Sequence, residues 1–301
     1  MKKSLKTIVF FGTDEFSAVS LRELIAHGFH ISAVVTKPDS RKGRGKELSA
    51  PLVKQIAAKH NLPVWQPLKL SEITEKIAGI TKAAGGQKPM GVLVSYGKII
   101  PQSIIEMFEP GIVNVHPSLL PKYRGPSPIE AAILHGDTET GVSIMQLTAA
   151  MDAGPVYKQV ILPLNDTETA PLLAENLAEL GAQQLCLTLP GIINGQVEPS
   201  QQDEASAVYC QLISKDESRP NPLDFTAEQL ERRIRAYLGF PKTIINVAGH
   251  DIVATKAHIS ALQASPLDIK CADGRFLSIE ELIGPSGKKM DARGFINGYV
   301  K

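Results

Sequence analysis

Apolar residues in the first two thirds of the chain occur in short, nearly continuous runs that alternate with segments of helical spacing. The runs lie at residues 8–11, 31–36, 91–97 and 112–115, with few polar residues among them. The helical spacing is found at residues 14–26, 51–60, 71–82 and 170–189, and Pro190 is expected to end the last of these helices. Nearly continuous apolar runs are typical of strands buried on both faces of a parallel sheet. The alternation therefore predicts an α/β domain with a central, mostly parallel sheet.

The first predicted strand enters a turn at Gly12, as the first strand of a Rossmann fold does. A dinucleotide-binding fingerprint needs three glycines in the pattern GxGxxG, and only Gly12 is present at this turn. The expected domain is therefore Rossmann-like, and no nicotinamide site is predicted.

The pattern changes after residue 193. Residues 194–206 are polar, rich in glutamine and contain a proline, which is typical of a linker. We therefore predict a catalytic domain at residues 1–193, a linker at 194–206 and a second domain at 207–301.

The second domain is expected to be a small antiparallel β-barrel. From residue 242 onward, short apolar runs are separated by the turn pairs Gly249-His250 and Asp273-Gly274. A capped helix is predicted before them, at residues 226–238, with three arginines on its exposed face: Arg232, Arg233 and Arg235.

Candidate chemistry lies where the strand of residues 112–116 ends. Alternation along a strand places Asn114 and His116 on one face, and Pro117 stops the ladder because it has no N–H. Open α/β sheets bind ligands at such strand ends. Asp152 follows 36 residues after His116, beyond a further strand at residues 141–147. If that strand runs parallel to its neighbour, it returns Asp152 to the same end of the sheet.

An Asn, a His and an Asp without a Ser or Cys nucleophile favour direct attack of an amine on an acyl carbon. Asn114 would donate a hydrogen bond to the developing oxyanion, and His116 would donate or relay a proton. Asp152 would keep His116 protonated and accept a proton through water. A structural histidine at a strand end is the simpler alternative, and it is the more common one.

A basic segment follows the second predicted strand, at residues 37–47. It interleaves glycines with five basic residues, among them Arg41, Lys42, Arg44 and Lys46. Its apolar residues follow neither the spacing of a helix nor that of a strand. We expect an exposed, flexible loop. Solvated charge and phosphate binding explain this composition equally well.

The composition is that of an ordinary globular protein. The 301 residues are 43% hydrophobic and 21% charged, with a net charge of +1, so neither a nucleic-acid partner nor its absence follows from charge. The run at residues 8–11 is too short for a signal peptide, and no membrane segment is predicted. The three cysteines, Cys186, Cys210 and Cys271, have no zinc-site spacing. They are expected to be buried thiols in a reducing cytoplasm.

Two motifs carry a resemblance to a known family: NVHPSLLPKYRG at residues 114–125 and DAG at residues 152–154. Together they resemble the signature of the formyltransferases that use 10-formyltetrahydrofolate. The whole chain is similar to the branch of that family whose acceptor is initiator methionyl-tRNA, which it formylates for translation initiation. One departure is Asp14, which stands where the family usually has proline after its Gly-Thr turn.

The resemblance implies roles for specific residues. Asn114, His116 and Asp152 would be catalytic. The folate co-substrate would contact the loop Ser118, Leu119, Leu120 and Pro121, and the pterin would lie near Ser95, Tyr96 and Gly97. The basic loop would contact the tRNA acceptor arm, with Arg44 matching a family arginine, and the C-terminal domain would be an OB-like barrel. We expect a cytoplasmic monomer that needs no metal.

Two other functions remain open. One is formyl transfer to a small acceptor, glycinamide ribonucleotide or an amino sugar nucleotide, which would need neither the basic loop nor the second domain. The other is a catalytically silent RNA-binding protein.

Overall fold

The computed structural model describes residues 6–42 and 47–300. Its strands are β1 (Ile8–Gly12), β2 (Ile31–Val35), β3 (Ser40–Lys42), β4 (Glu47–Ser49), β5 (Val64–Trp65), β6 (Met90–Val94), β7 (Ile112–His116), β8 (Glu139–Gln146), β9 (Val156–Pro163), β10 (Thr243–Val247), β11 (His250–Ser260), β12 (Asp268–Lys270), β13 (Phe276–Ile283) and β14 (Lys289–Asp291). Its α-helices are α1 (Glu15–Ala26), α2 (Leu52–Lys59), α3 (Thr74–Ala83), α4 (Gln102–Ile105), α5 (Pro128–His135), α6 (Ala170–Ile193), α7 (Ala227–Ala236) and α8 (Ala292–Tyr299).

The chain forms two compact units. The first contains residues up to Arg124, Gly141–Leu162 and Glu175–Val208, and the second contains Gly125–Thr140, Pro163–Ala174 and Tyr209–Lys301. Each unit is thus built from three separate segments of the chain, whereas the sequence predicted a single boundary at residues 194–206. That boundary stays a prediction.

The first unit is built on a seven-stranded sheet with the order β5-β2-β1-β6-β7-β8-β9. The strands from β5 to β7 are parallel, and β1 and β7 are buried at every position because helices cover such sheets on both faces. One face packs on the apolar cluster that includes Phe11, Ile77 and Tyr96. The predicted α/β class with a mostly parallel sheet is confirmed.

Strand β8 departs from the expected orientation. It pairs antiparallel to β7, with Val113 opposite Gln146 and His116 opposite Ser143. The prediction of a parallel neighbour was wrong, because the connection after β7 is a shaped loop and a short helix rather than a crossover that returns the chain to the start of the sheet. The loop 147–155 after β8 therefore has to carry Asp152 back toward the end of β7.

Two short strands form within and next to the basic segment, where a loop was predicted. Strands β3 and β4 pair as an antiparallel hairpin, with Arg41 opposite Leu48. The base of the hairpin is held by Lys54, whose Nζ lies 2.8 Å from both carboxylate oxygens of Asp39. Arg44 and Lys46 lie outside the described residues, as does the side chain of Lys42.

Helix α6 passes through Pro190, where it was predicted to end. It continues to Ile193 because Leu189 and Ile192 are buried on the same helix, and packing outweighs the missing N–H of one proline near the last turn. The chain leaves the helix at Gly195, which has a φ of 66°.

The second unit contains the antiparallel strands predicted for the C-terminal region. Their order is β10-β11-β13-β12, and β14 pairs with β13. Residues Ala248 and Gly249, with φ values of 50° and 80°, form the tight turn between β10 and β11. Leu230 of α7 and Phe295 of α8 pack into one apolar cluster with these strands.

The three arginines of α7 do not form the exposed face that was predicted. Arg235 is buried and pairs with Glu231 and Asp166 at 2.8 and 2.7 Å, and Arg233 lies 3.6 Å from Glu217. Arg232 lies 3.5 Å from Asp166. Each of these three arginines thus lies within ion-pair distance of a carboxylate of the same unit.

Within residues 6–42 and 47–300, no helix combines the length and the apolar character needed to cross a membrane.

Candidate active site

The ends of β6 and β7 lie side by side in the sheet. Leu93 pairs with Asn114, so Ser95 and His116, two residues further along, reach the same level of the sheet edge. Asn114 and His116 are each 5% exposed. The structure therefore places the two predicted polar side chains at the strand end, with only a small part of each open to solvent.

The ring of His116 is held at one nitrogen and faces a carboxylate at the other. Nε2 lies 3.0 Å from the backbone oxygen of Tyr123. A carbonyl oxygen can only accept, so Nε2 carries a proton. Nδ1 lies 3.8 Å from Oδ2 of Asp152, which is close enough for an ion pair and too long for a direct hydrogen bond. His116 thus has its free nitrogen directed at the predicted acid–base partner.

Asp152 reaches this position through an unusual backbone conformation. Its φ is 48°, in the left-handed region that Asp tolerates better than most residues. Two residues later, a Cβ on Gly154 would lie 1.8 Å from the backbone oxygen of Gln146. The tight packing of the loop 147–155 thereby brings Asp152 to His116 despite the antiparallel orientation of β8.

The side-chain amide of Asn114 forms no hydrogen bond with any described residue, although the side chain is buried. Buried amides are normally paired, so an amide left open at a strand end is available to a ligand. Asn114 lies two residues before His116 on β7, and Asp152 faces His116, so this strand end offers one amide donor, one imidazole and one carboxylate.

Most polar groups of the predicted folate loop form hydrogen bonds within the protein. Ser118 Oγ donates to the Lys122 oxygen at 2.6 Å, and Ser143 Oγ donates to the Ser118 oxygen at 2.6 Å. Gln159 donates to the oxygen of Leu120 at 2.7 Å, and the oxygen of Pro121 accepts from Val208. The partly exposed residues of this loop are Leu119 and Pro121. What it can offer a ligand is thus mainly apolar surface.

At the end of β6, Ser95 and Gly97 are exposed and Tyr96 is not. Both exposed residues have positive φ, 45° and 68°. Tyr96 packs edge-on against Phe11 with ring centroids 5.7 Å apart, and burial raises its pKa to about 12. Tyr96 is therefore a core residue. The part of this turn that a ligand could contact is the backbone of Ser95 and Gly97.

Two residues next to this turn were not predicted as site residues. Asp14 caps α1 by accepting from the backbone N–H of Ser17 at 3.1 Å, and it also accepts a hydrogen bond from Ser95 Oγ. The ammonium of Lys37 lies against Gly97, 2.4 Å from where a Cβ would be. Asp14 could have been noticed as a departure from the family pattern, whereas nothing in the sequence distinguishes Lys37 from the other basic residues of its segment.

A model of the formyl transferase family matches residues 5–189, and a model of the formyl transferase C-terminal domain matches residues 213–300. This chain belongs to the formyl transferase family. It is 37% identical over 305 residues to the methionyl-tRNA formyltransferase of Lactobacillus johnsonii, covering 98% of this chain and 96% of that one. The methionyl-tRNA formyltransferase of Janthinobacterium sp. (strain Marseille) is 39% identical, covering 97% of each chain.

Solved structures share the fold of this formyl transferase family member at lower identity. An N-formyltransferase from Helicobacter canadensis, in complex with folinic acid and dTDP-3-aminofucose, is 20% identical with a TM-score of 0.68, over 91% of this chain and 99% of that one. HypX from Aquifex aeolicus, in complex with tetrahydrofolic acid, is 16% identical with a TM-score of 0.64, over 99% of this chain and 48% of that one.

Metal binding and thiol chemistry were also considered for this formyl transferase in the sequence, and the structure bears on both. In the described part of the chain, no set of three or more His, Cys, Asp or Glu side chains is placed to hold a metal ion. Cys186 and Cys271 are buried as expected, and burial raises the pKa of the Cys186 thiol to about 11, so it is not a thiolate nucleophile. Cys210 is only partly buried.

Sequence reasoning also missed Arg124 and Gln202. Gln202 lies in the segment predicted as a linker, yet it donates to the backbone oxygens of Asp152 and Gly154, both at 2.7 Å. Arg124 is fully buried and donates to Gln202 at 3.0 Å. The available signal for Arg124 was its place within the NVHPSLLPKYRG motif, and no signal in the sequence marked Gln202.

Proposed function

We propose that this chain transfers the formyl group of 10-formyltetrahydrofolate to the α-amine of initiator methionyl-tRNA, giving N-formylmethionyl-tRNA for translation initiation. The observation that carries the proposal is the convergence of Asn114, His116 and Asp152, in a chain that aligns over nearly its full length with methionyl-tRNA formyltransferases. Both ring nitrogens of His116 are directed at other groups, so this histidine is not arranged to activate a Ser or Cys nucleophile.

The reaction is a direct displacement. The amine nitrogen forms a bond to the formyl carbon, the bond from that carbon to N10 breaks, and N10 leaves with a proton. Asn114 donates its amide N–H to the oxyanion of the tetrahedral intermediate, and protonated His116 gives its Nδ1 proton to the departing N10. Asp152 stabilises the imidazolium and accepts the proton of the attacking amine through water. No step requires a metal ion.

The folate co-substrate is proposed to bind along the ends of β6 and β7. The exposed backbone at Ser95 and Gly97 can pair with the edge of a pterin, and Leu119 and Pro121 can supply an apolar wall. Ser118, Leu120 and Tyr96 then act by holding these neighbours in place, because their own polar groups or rings are used inside the protein.

The acceptor is proposed to be a tRNA rather than a small phosphorylated molecule. The N-terminus of a helix that follows the first strand is an ordinary place for a phosphate. Here the N–H of Ser17 already donates to the carboxylate of Asp14, and the negative charge of that carboxylate repels a phosphate at this helix end. Arg41 on β3 is exposed, and an exposed guanidinium suits the phosphates of an RNA. Lys42, Arg44 and Lys46 are proposed to contribute in the same way, and the protein is proposed to act as a cytoplasmic monomer.

The test is to incubate the purified protein with 10-formyltetrahydrofolate and methionyl-tRNA, and then to identify the aminoacyl group released from the tRNA by mass spectrometry. N-formylmethionine is the expected product. Parallel reactions contain glycinamide ribonucleotide or dTDP-3-aminofucose as acceptor. Formylation of a small acceptor alone would overturn the proposed substrate, and tight tRNA binding without any transfer would favour the silent RNA-binding alternative.

A further inference from the structure

A glutamine outside the signature motifs holds the backbone on both sides of Ala153. The side-chain Nε2 of Gln202 donates to the oxygens of Asp152 and Gly154, each at 2.7 Å. Because a primary amide has two N–H groups, each carbonyl receives one. Asp152 has a φ of 48°, in the left-handed region that Asp tolerates but does not prefer, so contacts of its backbone help to keep it there. Gln202 therefore fixes the residue that supplies the carboxylate facing His116.

The orientation of this amide is dictated by a buried arginine. Nε of Arg124 donates to Oε1 of Gln202 at 3.0 Å. Since a guanidinium has no acceptor, the amide oxygen has to face Arg124 and the amide nitrogen has to face the two carbonyls. Nη1 and Nη2 of Arg124 donate to Glu204 at 2.8 and 2.7 Å, and this hydrogen bonding lowers the pKa of the Glu204 carboxyl. The charge of the buried guanidinium is thereby balanced.

Consecutive residues thus hold the two partners of the His116–Asp152 pair. The backbone oxygen of Tyr123 accepts from Nε2 of His116, and Arg124 acts on Asp152 through Gln202. The two groups are 3.8 Å apart. A displacement of about 1 Å at such a pair costs roughly a hundredfold in rate.

We propose that Gln202, oriented by Arg124, is a positioning residue that sets the distance between Asp152 and His116 for formyl transfer. This inference rests on the proposed function, because the transfer reaction is its main readout. It assigns a role in the active site to the polar segment that the sequence indicated as a linker.

The test compares Gln202→Ala with Gln201→Ala, a matched control at an exposed neighbour that forms no described side-chain contact. Gln202→Ala is expected to lower kcat tenfold to a hundredfold, with KM for folate and for tRNA changed less than about twofold. Gln201→Ala should behave as the parent. A parent-like kcat in Gln202→Ala would overturn the proposal.

A double-mutant cycle separates positioning from general support of the fold. If Gln202 acts through Asp152, then Gln202→Ala should cause no further loss of kcat in an Asp152→Ala background. Losses that multiply, accompanied by a lower melting temperature, would assign Gln202 to fold stability and overturn the positioning role. Gln202→Glu, which keeps a partner for Arg124 but cannot donate when ionised, should be as impaired as Gln202→Ala.

Hydrogen exchange tests the role of Gln202 independently of the proposed formyl transfer. If the parent transfers no formyl group, the proposed function fails on its own. The backbone N–H of Ala153, which lies 3.4 Å from the oxygen of Ala150, should still exchange faster in Gln202→Ala than in Gln201→Ala. Equal exchange in the two variants would show that Gln202 does not hold this loop.

Discussion

At the scale of single residues, the proposed chemistry depends on charge at Asp152 and on the imidazole of His116. Asp152→Asn leaves the main-chain oxygen that Gln202 binds and removes only the charge facing Nδ1. We expect Asp152→Asn and His116→Ala each to lower kcat about a hundredfold to a thousandfold while both variants stay folded. Steady-state kinetics together with circular dichroism measure this. Near-parental turnover in both variants would remove these residues from the mechanism, and the double variant should lose far less than the product of the two losses.

At the scale of elements, the loop between β8 and β9 decides whether Asp152 reaches His116. A Cβ at Gly154 would meet the backbone of Gln146 at 1.8 Å, so Gly154→Ala has to displace the loop. We expect a loss of about 1–3 kcal/mol in stability and a lower kcat. Gly79→Ala in α3, where a Cβ meets nothing within 4 Å, is the control and should gain about 0.5–1 kcal/mol. Denaturant titration of both variants and the parent measures these changes. If Gly154→Ala were as stable as the parent, the loop would tolerate a side chain at this position.

At the scale of the whole molecule, the two substrates are proposed to engage separate parts of the chain. Arg41 on the β3–β4 hairpin is exposed and makes no described ion pair, so Arg41→Ala should raise KM for tRNA and leave KM for folate unchanged. The slope of log affinity for tRNA against log salt should fall by about 0.7–0.9. Lys59→Ala, which removes an exposed charge from the end of α2, should leave both constants unchanged. An effect of Arg41→Ala on the folate constant alone would assign the hairpin to the other substrate.

Local pattern was sufficient for much of this molecule. The apolar runs at β1, β6 and β7 predicted buried parallel strands correctly, because a strand covered on both faces needs apolar side chains at every position. Asn114 and His116 were recognised as site candidates for the same kind of reason, since alternation and Pro117 are local facts.

Long-range packing decided the rest. The orientation of β8, the continuation of α6 past Pro190 and the burial of Arg235 all depend on contacts with distant residues, which local propensity does not encode. The same holds for Gln202, which lies 50 residues from Asp152 in sequence and 2.7 Å from its backbone oxygen. The sequence by itself determined the family and the residues Asn114, His116 and Asp152 as candidates for the chemistry. Only the tertiary structure decided which side chains hold them, because a hydrogen bond between distant segments exists only after the chain has closed the loop between them.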